Sequence, residues 1–231
     1  MVAGAKSKGS EGRFLMKEDC WYKEVCRNKQ PDLCIRYAEM KFLMDNSGIP
    51  KKRQYPEKLQ PEDRDLDAFY ILADLKDDIE SFVNDGRNLY IMGENTGNGK
   101  TSWAIKLMLK YFDCIWAGNG FNVSGYFAHV PSMLTTLKNF KNDNDRNQLQ
   151  KNLMEANLVI WDDIASAKLS DYDISQLLLF IDHRELQGLA NIYTGNIISK
   201  DQLTQMLGNR LASRIWNNNT TVVEIQGADR R

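Results

Sequence analysis

The chain has 231 residues, of which 42% are hydrophobic and 26% are charged, and its formal net charge is −1. This length and composition predict a soluble globular protein with one large core and a small appendage, and they argue against two full domains. The near-neutral charge excludes a strongly basic protein that attracts nucleic acid over its whole surface. No run of 18 apolar residues occurs, and the first residues, MVAGAKSKGSEGR, lack the apolar core of a signal peptide. We therefore expect a cytoplasmic protein without membrane contact.

Charge and proline content divide the chain into four predicted segments. Residues 1–13 are small and polar, so we expect a disordered tail there. Apolar residues recur mostly at spacings of three and four in residues 14–54, which predicts a small, mainly helical N-terminal domain. Two prolines and a change from basic to acidic composition predict a linker at residues 55–64. Residues 65–231 form the predicted main domain.

Three of the four cysteines, Cys20, Cys26 and Cys34, lie close together in the sequence, and Cys114 is far from them. In a cytoplasmic protein such clustering favours a metal site over disulfides. Structural zinc sites have four ligands and usually contain a Cys-x₂-Cys pair, which this cluster lacks. The sequence leaves two interpretations: a zinc site completed by a carboxylate such as Asp32, or free thiols.

Short apolar strands alternate with amphipathic helices through the main domain. This alternation predicts an α/β fold in which a parallel five-stranded sheet is flanked by helices on both faces. A first helical stretch runs from Asp65 to the turn Asn84-Asp85-Gly86. The predicted strands are 88–92, 125–130, 158–162, 190–194 and 220–225. The helices predicted between them are 99–112, 131–140, 146–157, 172–186, 199–206 and 208–217.

The stretch LYIMGENTGNGKTS, residues 89–102, has the strand, glycine-rich loop and helix of a phosphate-binding loop (P-loop). In such a loop the Lys, here Lys100, reaches the β and γ phosphates, and the hydroxyl at the next position, here Thr101, binds Mg²⁺. Glu94 stands where the usual pattern has its first glycine. The phosphate contacts come from the later turn, so we predict a working nucleotide site. Its expected nucleotide-binding residues are Glu94, Asn95, Thr96, Gly97, Asn98, Gly99, Lys100, Thr101 and Ser102.

Two carboxylates follow the buried run NLVIW, about sixty residues after the P-loop. Ligands of open α/β sheets bind at the carboxyl ends of the strands, so we expect Asp162 to hold Mg²⁺ together with Thr101, mostly through water. Asp163 stands where many such ATPases have a Glu that orients the attacking water. Because Asp is one methylene shorter, we predict slow hydrolysis that suits a switch.

With these motifs in place, residues 88–231 resemble the AAA+ helicase loaders of the DnaC/DnaI type, in particular their phage-encoded versions. The resemblance is carried by the loop TGNGKT, the strand end WDD, the strand end YTGN before SKDQL, and LGNRLASRI followed by GADRR. It implies an AAA+ P-loop ATPase fold, ATP and Mg²⁺ as cofactors, and self-assembly into an ATP-dependent oligomer.

The resemblance also implies roles for four polar residues. Asn196, at the end of a strand, looks like sensor 1, which detects the γ-phosphate or the attacking water. Arg214 matches the arginine finger that reaches a neighbouring subunit's ATP, and Arg210 matches its companion. Arg230 looks like sensor 2, which acts on the nucleotide of its own subunit.

Loaders of this class bind the replicative hexameric helicase, of the DnaB type, through the N-terminal domain and also bind single-stranded DNA. The resemblance therefore implies that residues 14–54 contact the helicase. Single-strand binding needs cations for phosphates and aromatic rings for bases. The stretch between the two nucleotide motifs offers Phe127, Lys138, Phe140 and Lys141 for that role. Alternatively, these phenylalanines belong to the core and the lysines are solvated.

Three other functions share parts of this pattern. An IstB-like transposition ATPase has the same ATPase core but partners a transposase, usually on duplex DNA. A catalytically weak adaptor, in which nucleotide only sets the shape, is left open by Asp163. A small-molecule kinase uses the same loop, but Asn196 and the LGNRLASRI segment argue against it. The sequence favours the loader.

Overall fold

The computed structural model describes residues 20–22, 26, 34–55, 58–139, 142–166 and 168–228. Five features of the sequence analysis lie outside the described residues: the disordered tail at 1–13, Asp32, Phe140, Lys141 and Arg230. Their assignments stay predictions.

Five strands form the sheet: β1 (Asn88–Met92), β2 (Gly125–His129), β3 (Leu158–Asp162), β4 (Ala190–Gly195) and β5 (Thr220–Glu224). All neighbouring strands are parallel, in the spatial order β2-β3-β4-β1-β5. The central strands β1, β3 and β4 are buried along their whole length, as expected for strands covered by helices on both faces. The predicted parallel five-stranded sheet is confirmed.

The α-helices in the described part of the chain are α1 (Ile35–Asn46), α2 (Leu66–Asp77), α3 (Ile79–Asn84), α4 (Lys100–Ile115), α5 (Val130–Asn139), α6 (Asp143–Glu155), α7 (Asp171–Leu186) and α8 (Lys200–Ile215). One of the predictions differs from this, because the helix expected from Asp65 onward is interrupted at Asp78. The two helices expected near the C-terminus agree with α8, which is divided by a break at Gly208, whose φ of 79° is not helical. None of the described helices has the length and apolar character needed to cross a lipid bilayer.

Helices cover both faces of the sheet, and successive side chains of each strand point to opposite cores. Leu89 and Ile91 of β1 belong to a first core, which is built with α1, α2, α3 and α4. Tyr90 and Met92 belong to a second core, built with α5, α6, α7 and α8. Local signals set where several helices begin: for example, Ser170 caps α7 and forms a reciprocal capping box with Asp173.

Helix α1 falls in the predicted N-terminal domain, and it packs directly on the first core. Its residues Met40, Leu43 and Met44 are at most 2% exposed and belong to the same cluster as the side chains of α4. The backbone N–H of Phe127 in β2 donates to the carbonyl oxygen of Ser47 at 2.6 Å. The segment around α1 is thus attached to the edge of the sheet. The helicase-binding role of residues 14–54 stays a prediction.

The structure does not support the zinc interpretation. Cys20, Cys26 and Cys34 are all described, yet no group of three or more Cys, His, Asp or Glu side chains within the described ranges is arranged to hold a metal ion. Aromatic packing holds this segment instead. The indole N–H of Trp21 donates to the Gln54 carbonyl at 2.9 Å. The neighbouring Tyr22 is fixed in the same way, because its hydroxyl donates to Asp113 at 2.6 Å.

A buried arginine ties α7 to the end of the sheet opposite the predicted nucleotide site. Arg184 is fully buried. Its guanidinium donates hydrogen bonds of 2.6 to 3.4 Å to the carbonyl oxygens of Leu153, Ala156, Asn157 and Ala190 and to the side-chain oxygen of Asn191. Burial lowers the pKa of Arg184 to about 9, so the group remains charged at neutral pH. The charge lies at the carboxyl end of α6, where the helix dipole is negative.

Asn191 extends this contact across the sheet. Its side-chain oxygen also accepts from the indole N–H of Trp161 in β3 at 3.0 Å, and its amide donates to Asn88 of β1 at 3.0 Å. Polar side chains therefore join β1, β3 and β4, with Asn88 and Asn191 at the amino ends of β1 and β4. Each buried polar group in such a network depends on its partner, because an unpaired one costs free energy.

We expect Arg184→Ala to lower the free energy of unfolding by about 3 to 5 kcal/mol, because it leaves buried carbonyl groups without donors. Urea unfolding followed by circular dichroism measures the change. Lys151→Ala is the matched control, since the ion pair between Lys151 and Glu155 is exposed at 3.9 Å. For the control we expect a change below about 0.5 kcal/mol. Equal urea midpoints for Arg184→Ala and the wild type would show that the network contributes nothing.

Candidate nucleotide site

One cleft of about 720 Å³ opens at the carboxyl ends of the strands. Residues 96–103 of the P-loop and α4 form its floor, and residues 58–61 and the start of α2 form one wall. The ends of the other strands contribute His129, Asp162, Asp163, Thr194, Asn196 and Ile225. A cleft of this size matches the usual volume of a small-molecule site, and its position is the one expected for ligands of a parallel α/β sheet.

Glycines shape the loop between β1 and α4. Gly99 has a φ of 103°, a left-handed value that favours glycine, and α4 begins at the next residue. At Gly93 a Cβ atom would collide with the carbonyl oxygen of Ile225. Glycine is therefore needed at Gly93, where the chain leaves the sheet beside β5. The side chain of Glu94 is exposed to solvent, so the residue that departs from the usual pattern does not obstruct the cleft.

The ammonium group of Lys100 is buried and held by the loop itself. Its Nζ donates to the carbonyl oxygens of Gly93 and Asn95, at 2.8 and 2.7 Å, and to Asn98 Oδ1 at 3.0 Å. The amide of Asn98 in turn donates to the Ile225 carbonyl at 2.7 Å, which fixes the loop to the end of β5. These contacts place a satisfied cation among backbone N–H groups at the amino end of α4, and such a site attracts phosphate.

The carboxylate of Asp162, which is 6% exposed, meets two hydroxyl side chains. The Asp162 Oδ1 atom accepts from the hydroxyl of Thr101 at 2.7 Å and from that of Thr194 at 2.8 Å. Hard cations such as Mg²⁺ prefer carboxylate and hydroxyl oxygens, so this set fits the ion expected beside ATP. The sequence analysis missed Thr194; its signal was a hydroxyl residue near the carboxyl end of a buried strand.

The backbone of Asp163 has a φ of 63°, in the left-handed region. Asp adopts this conformation more readily than most residues because its short polar side chain can bond locally. This preference is a physical reason for Asp at a position where related ATPases have Glu. The backbone N–H donates to Thr194 Oγ1 at 3.0 Å. The carboxylate lies 3.9 Å from Nε2 of His129, a second cleft residue that the sequence analysis missed.

Asn196 also lines the cleft. It follows β4, which pairs with β3 on one side and with β1 on the other. The side chain is therefore between the P-loop strand and the strand that carries Asp162. This placement agrees with the predicted sensor position, and the role itself stays a prediction.

The two described arginines of LGNRLASRI lie on α8, and neither is among the described residues that line the cleft. Arg210 Nη2 is 2.7 Å from Asp182 Oδ2, and Arg214 Nε is 2.8 Å from Asp182 Oδ1. Arg214 Nη1 is also 2.9 Å from Glu185. Both guanidinium groups are thus held by carboxylates of α7, away from the nucleotide site of their own subunit.

Two of the four residues predicted to contact DNA, Phe127 and Lys138, lie in the described part of the chain. Phe127 is 7% exposed and belongs to the first core, so it has no face on which a base can stack. Its proposed role is wrong because the inward side of β2 packs against α4. Lys138 is exposed, but its Nζ is 2.7 Å from the buried carboxylate of Asp173. This ion pair reduces the charge that Lys138 offers to a phosphate.

The structure resembles those of several solved proteins. It superposes on the DnaC helicase loader with a TM-score of 0.63 at 18% identity, covering 77% of this chain and 100% of that one. For DnaI the TM-score is 0.57 at 20% identity, with 76% and 88% covered. For AMPPCP-bound DnaA from Aquifex aeolicus it is 0.52 at 16% identity, with 73% and 48% covered. At these identities the likeness establishes the AAA+ P-loop fold alone.

Sequence comparison gives the family. No curated protein matches the chain significantly. The model of the family described as IstB-like ATP binding protein matches residues 40–228, which is most of the chain. With its P-loop, its strand-end carboxylates and its AAA+ sheet, the chain belongs to the IstB-like ATP binding protein family.

Proposed function

We propose that this protein is an ATP-dependent helicase loader, which binds a replicative hexameric helicase and delivers it to single-stranded DNA. One observation carries the proposal: the P-loop, Asp162 and Asn196 line one cleft, whereas Arg210 and Arg214 lie outside it. Such a division suits a protein whose subunits complete one another's nucleotide sites. Several kinds of protein have subunits that complete one another's nucleotide sites. Among them, the likeness of the fold to DnaC and DnaI supports a helicase loader.

The described side chains suit binding and hydrolysis of ATP. Lys100 would transfer its donors from loop oxygens to phosphate oxygens, since both are hydrogen-bond acceptors at the same turn. Thr101 and Asp162 would hold Mg²⁺, which neutralises phosphate charge when it is bound. Asp163 would orient the attacking water, and Asn196 would contact it or the γ-phosphate. His129, beside Asp163, is placed to support that carboxylate.

The arginine pair would act in trans. Each guanidinium carries several N–H donors in a planar fork that suits phosphate oxygens. The two arginines are bound to carboxylates of α7 and lie outside the cleft of their own subunit. The pair would therefore reach a nucleotide only in an assembly. Hydrolysis would then depend on self-assembly, and ATP would serve as the switch between the assembled and separated states.

The other functions use the same ATPase core. A transposition ATPase would bind a transposase on duplex DNA, and family membership is compatible with it. A weak adaptor would bind ATP without assembly-dependent hydrolysis. We favour the loader because the structural likeness includes a DnaC helicase loader, whose solved chain is covered completely.

Lys100→Ala should weaken ATP binding about 100-fold, because it removes charge-assisted hydrogen bonds worth about 3 kcal/mol. Fluorescence anisotropy with a labelled ATP analogue measures the affinity. The control is Lys151→Ala, which removes a lysine from an exposed helix surface and should leave the affinity unchanged. An unchanged affinity for Lys100→Ala would mean that the loop does not bind phosphate in the proposed way.

Arg214→Ala should spare ATP binding but lower hydrolysis in the assembled state by on the order of 10³-fold, the size of effect known for arginine fingers. The measurement is the hydrolysis rate at increasing protein concentration with single-stranded DNA present. For the wild type we expect the rate per subunit to rise with concentration. A wild-type rate for Arg214→Ala in the assembly would contradict action in trans.

The loader function itself is tested with a purified hexameric replicative helicase. We expect the protein, ATP and helicase to form a complex, and we expect helicase to appear on circular single-stranded DNA in amounts that depend on ATP. Size-exclusion chromatography measures the complex, and DNA unwinding measures the transfer. Lys100→Ala provides the nucleotide-free control. Binding to duplex DNA and a transposase, without binding to replicative helicases, would instead support the transposition function.

A further inference from the structure

The carboxylate of Asp182 joins the two arginines of α8. Its Oδ2 atom lies 2.7 Å from Arg210 and its Oδ1 atom 2.8 Å from Arg214, so each oxygen engages one guanidinium. Glu185, one turn further along α7, adds a second carboxylate at 2.9 Å from Arg214. The Asp182 side chain is only 19% exposed, whereas that of Arg210 is 70% exposed. The acidic partner is therefore the more fixed member of the cluster.

Asp182 has a rigid support. Helix α7 begins at the capping box of Ser170, and Phe180 and Ile181 are buried in the second core. Two residues after Asp182, the fully buried Arg184 bonds to the backbone of α6 and to the start of β4. The helix turn that carries Asp182 is thus held on both sides, and its carboxylate has a defined position.

The helix that bears the arginines is fixed, but their side chains are exposed. Leu211, Ala212 and Ile215 of α8 are buried in the second core, whereas the side chains of Arg210 and Arg214 are 70% and 40% exposed. Arginine side chains also have many rotamers, and holding one in a single geometry costs conformational entropy. Exposed ion pairs contribute little to stability. The advantage of this cluster therefore lies in orientation, because a preorganised charge acts without first having to be ordered.

We propose that Asp182 is a positioning residue, which sets the direction of Arg210 and Arg214 toward the nucleotide of a neighbouring copy of this chain. This inference rests on the proposed function, in which the two arginines act in trans. A guanidinium has five N–H donors. The contacts to α7 engage one nitrogen of Arg210 and two of Arg214. The same arginine can therefore keep its carboxylate and also donate to a phosphate.

The test compares ATP hydrolysis by the wild type, Asp182→Asn and Arg214→Ala, with poly-dT present and the protein concentration varied. Asp182→Asn keeps the shape of the side chain but removes its charge. We expect its assembled hydrolysis rate to fall about tenfold or more, while its affinity for a labelled ATP analogue stays within about twofold of the wild type. The control Glu155→Gln removes a carboxylate from an exposed ion pair on α6 and should change neither quantity.

Mixing variants separates positioning from a merely structural effect. Asp163→Asn subunits would bind ATP and assemble, but they lack the carboxylate proposed to orient the attacking water and keep an intact arginine pair. When they are mixed with Asp182→Asn subunits, hydrolysis should recover, because intact arginines then face intact nucleotide sites. The mixture of Asp163→Asn with Arg214→Ala is the reference and should recover in the same way.

Each outcome has one meaning. A wild-type rate for Asp182→Asn, with a reduced rate for Arg214→Ala, overturns the positioning role and leaves the arginines acting in trans. Wild-type rates for both variants contradict the proposed role of the arginines, as does the absence of recovery in both mixtures. Recovery of the reference mixture alone shows that Asp182 supports the nucleotide site of its own subunit rather than the arginines that act on a neighbour, which also overturns the inference.

A second variant keeps the test valid if Asp182→Asn lowers the stability of the protein. If Asp182→Asn unfolds at a lower urea concentration than the wild type, Glu185→Gln tests the same cluster at its more exposed edge. It removes one contact of Arg214, so we expect a smaller loss of assembled hydrolysis, again restored by Asp163→Asn subunits. An undiminished rate for Glu185→Gln in that case counts against the positioning role.

Discussion

The carboxylate of Asp162 accepts hydrogen bonds from Thr101 and Thr194, and this contact depends on the parallel register of the sheet. Because the strands run in one direction, the P-loop after β1, the carboxylates at the end of β3 and the polar end of β4 all reach the same edge. An antiparallel pair would place one of these ends on the opposite side of the molecule. The nucleotide site therefore follows from strand direction as much as from the motif residues.

The register is held by packing on both faces and by polar contacts at the opposite edge. Arg184 and Asn191 join helices α6 and α7 to β1, β3 and β4, with no carboxylate among the hydrogen-bond acceptors of Arg184. Carbonyl groups at the end of α6 supply the negative partner instead. A cation that is satisfied only by oriented carbonyls tolerates little movement of those helices. The Arg184 contacts therefore help to fix α7, which also carries Asp182.

In the proposed function, the arginine cluster would prepare chemistry that a single chain does not complete. In the isolated subunit, Arg210 and Arg214 bind carboxylates of α7 and do not line the described cleft. Their charges are therefore oriented before any neighbour arrives, and an assembly would gain them without a large ordering cost. Nucleotide hydrolysis and self-assembly would be linked through these few ion pairs rather than through a change of fold.

The sequence by itself determined the elements, the sheet and the P-loop. Apolar runs bounded by turns located the five strands, most clearly β1, β3 and β4, which are buried on both faces. It also located Lys100, Thr101 and Asp162, because spacing along the chain fixes their places relative to strand ends. Only the tertiary structure decided the contacts between distant segments. It places Thr194 and His129 in the cleft, and it puts Phe127 in the core, one of the two positions that the sequence left open. It also sets Asp182 beside the arginines. Sequence periodicity defines which face of an element is apolar, but it does not identify the partner that a polar side chain meets once helices and strands pack together.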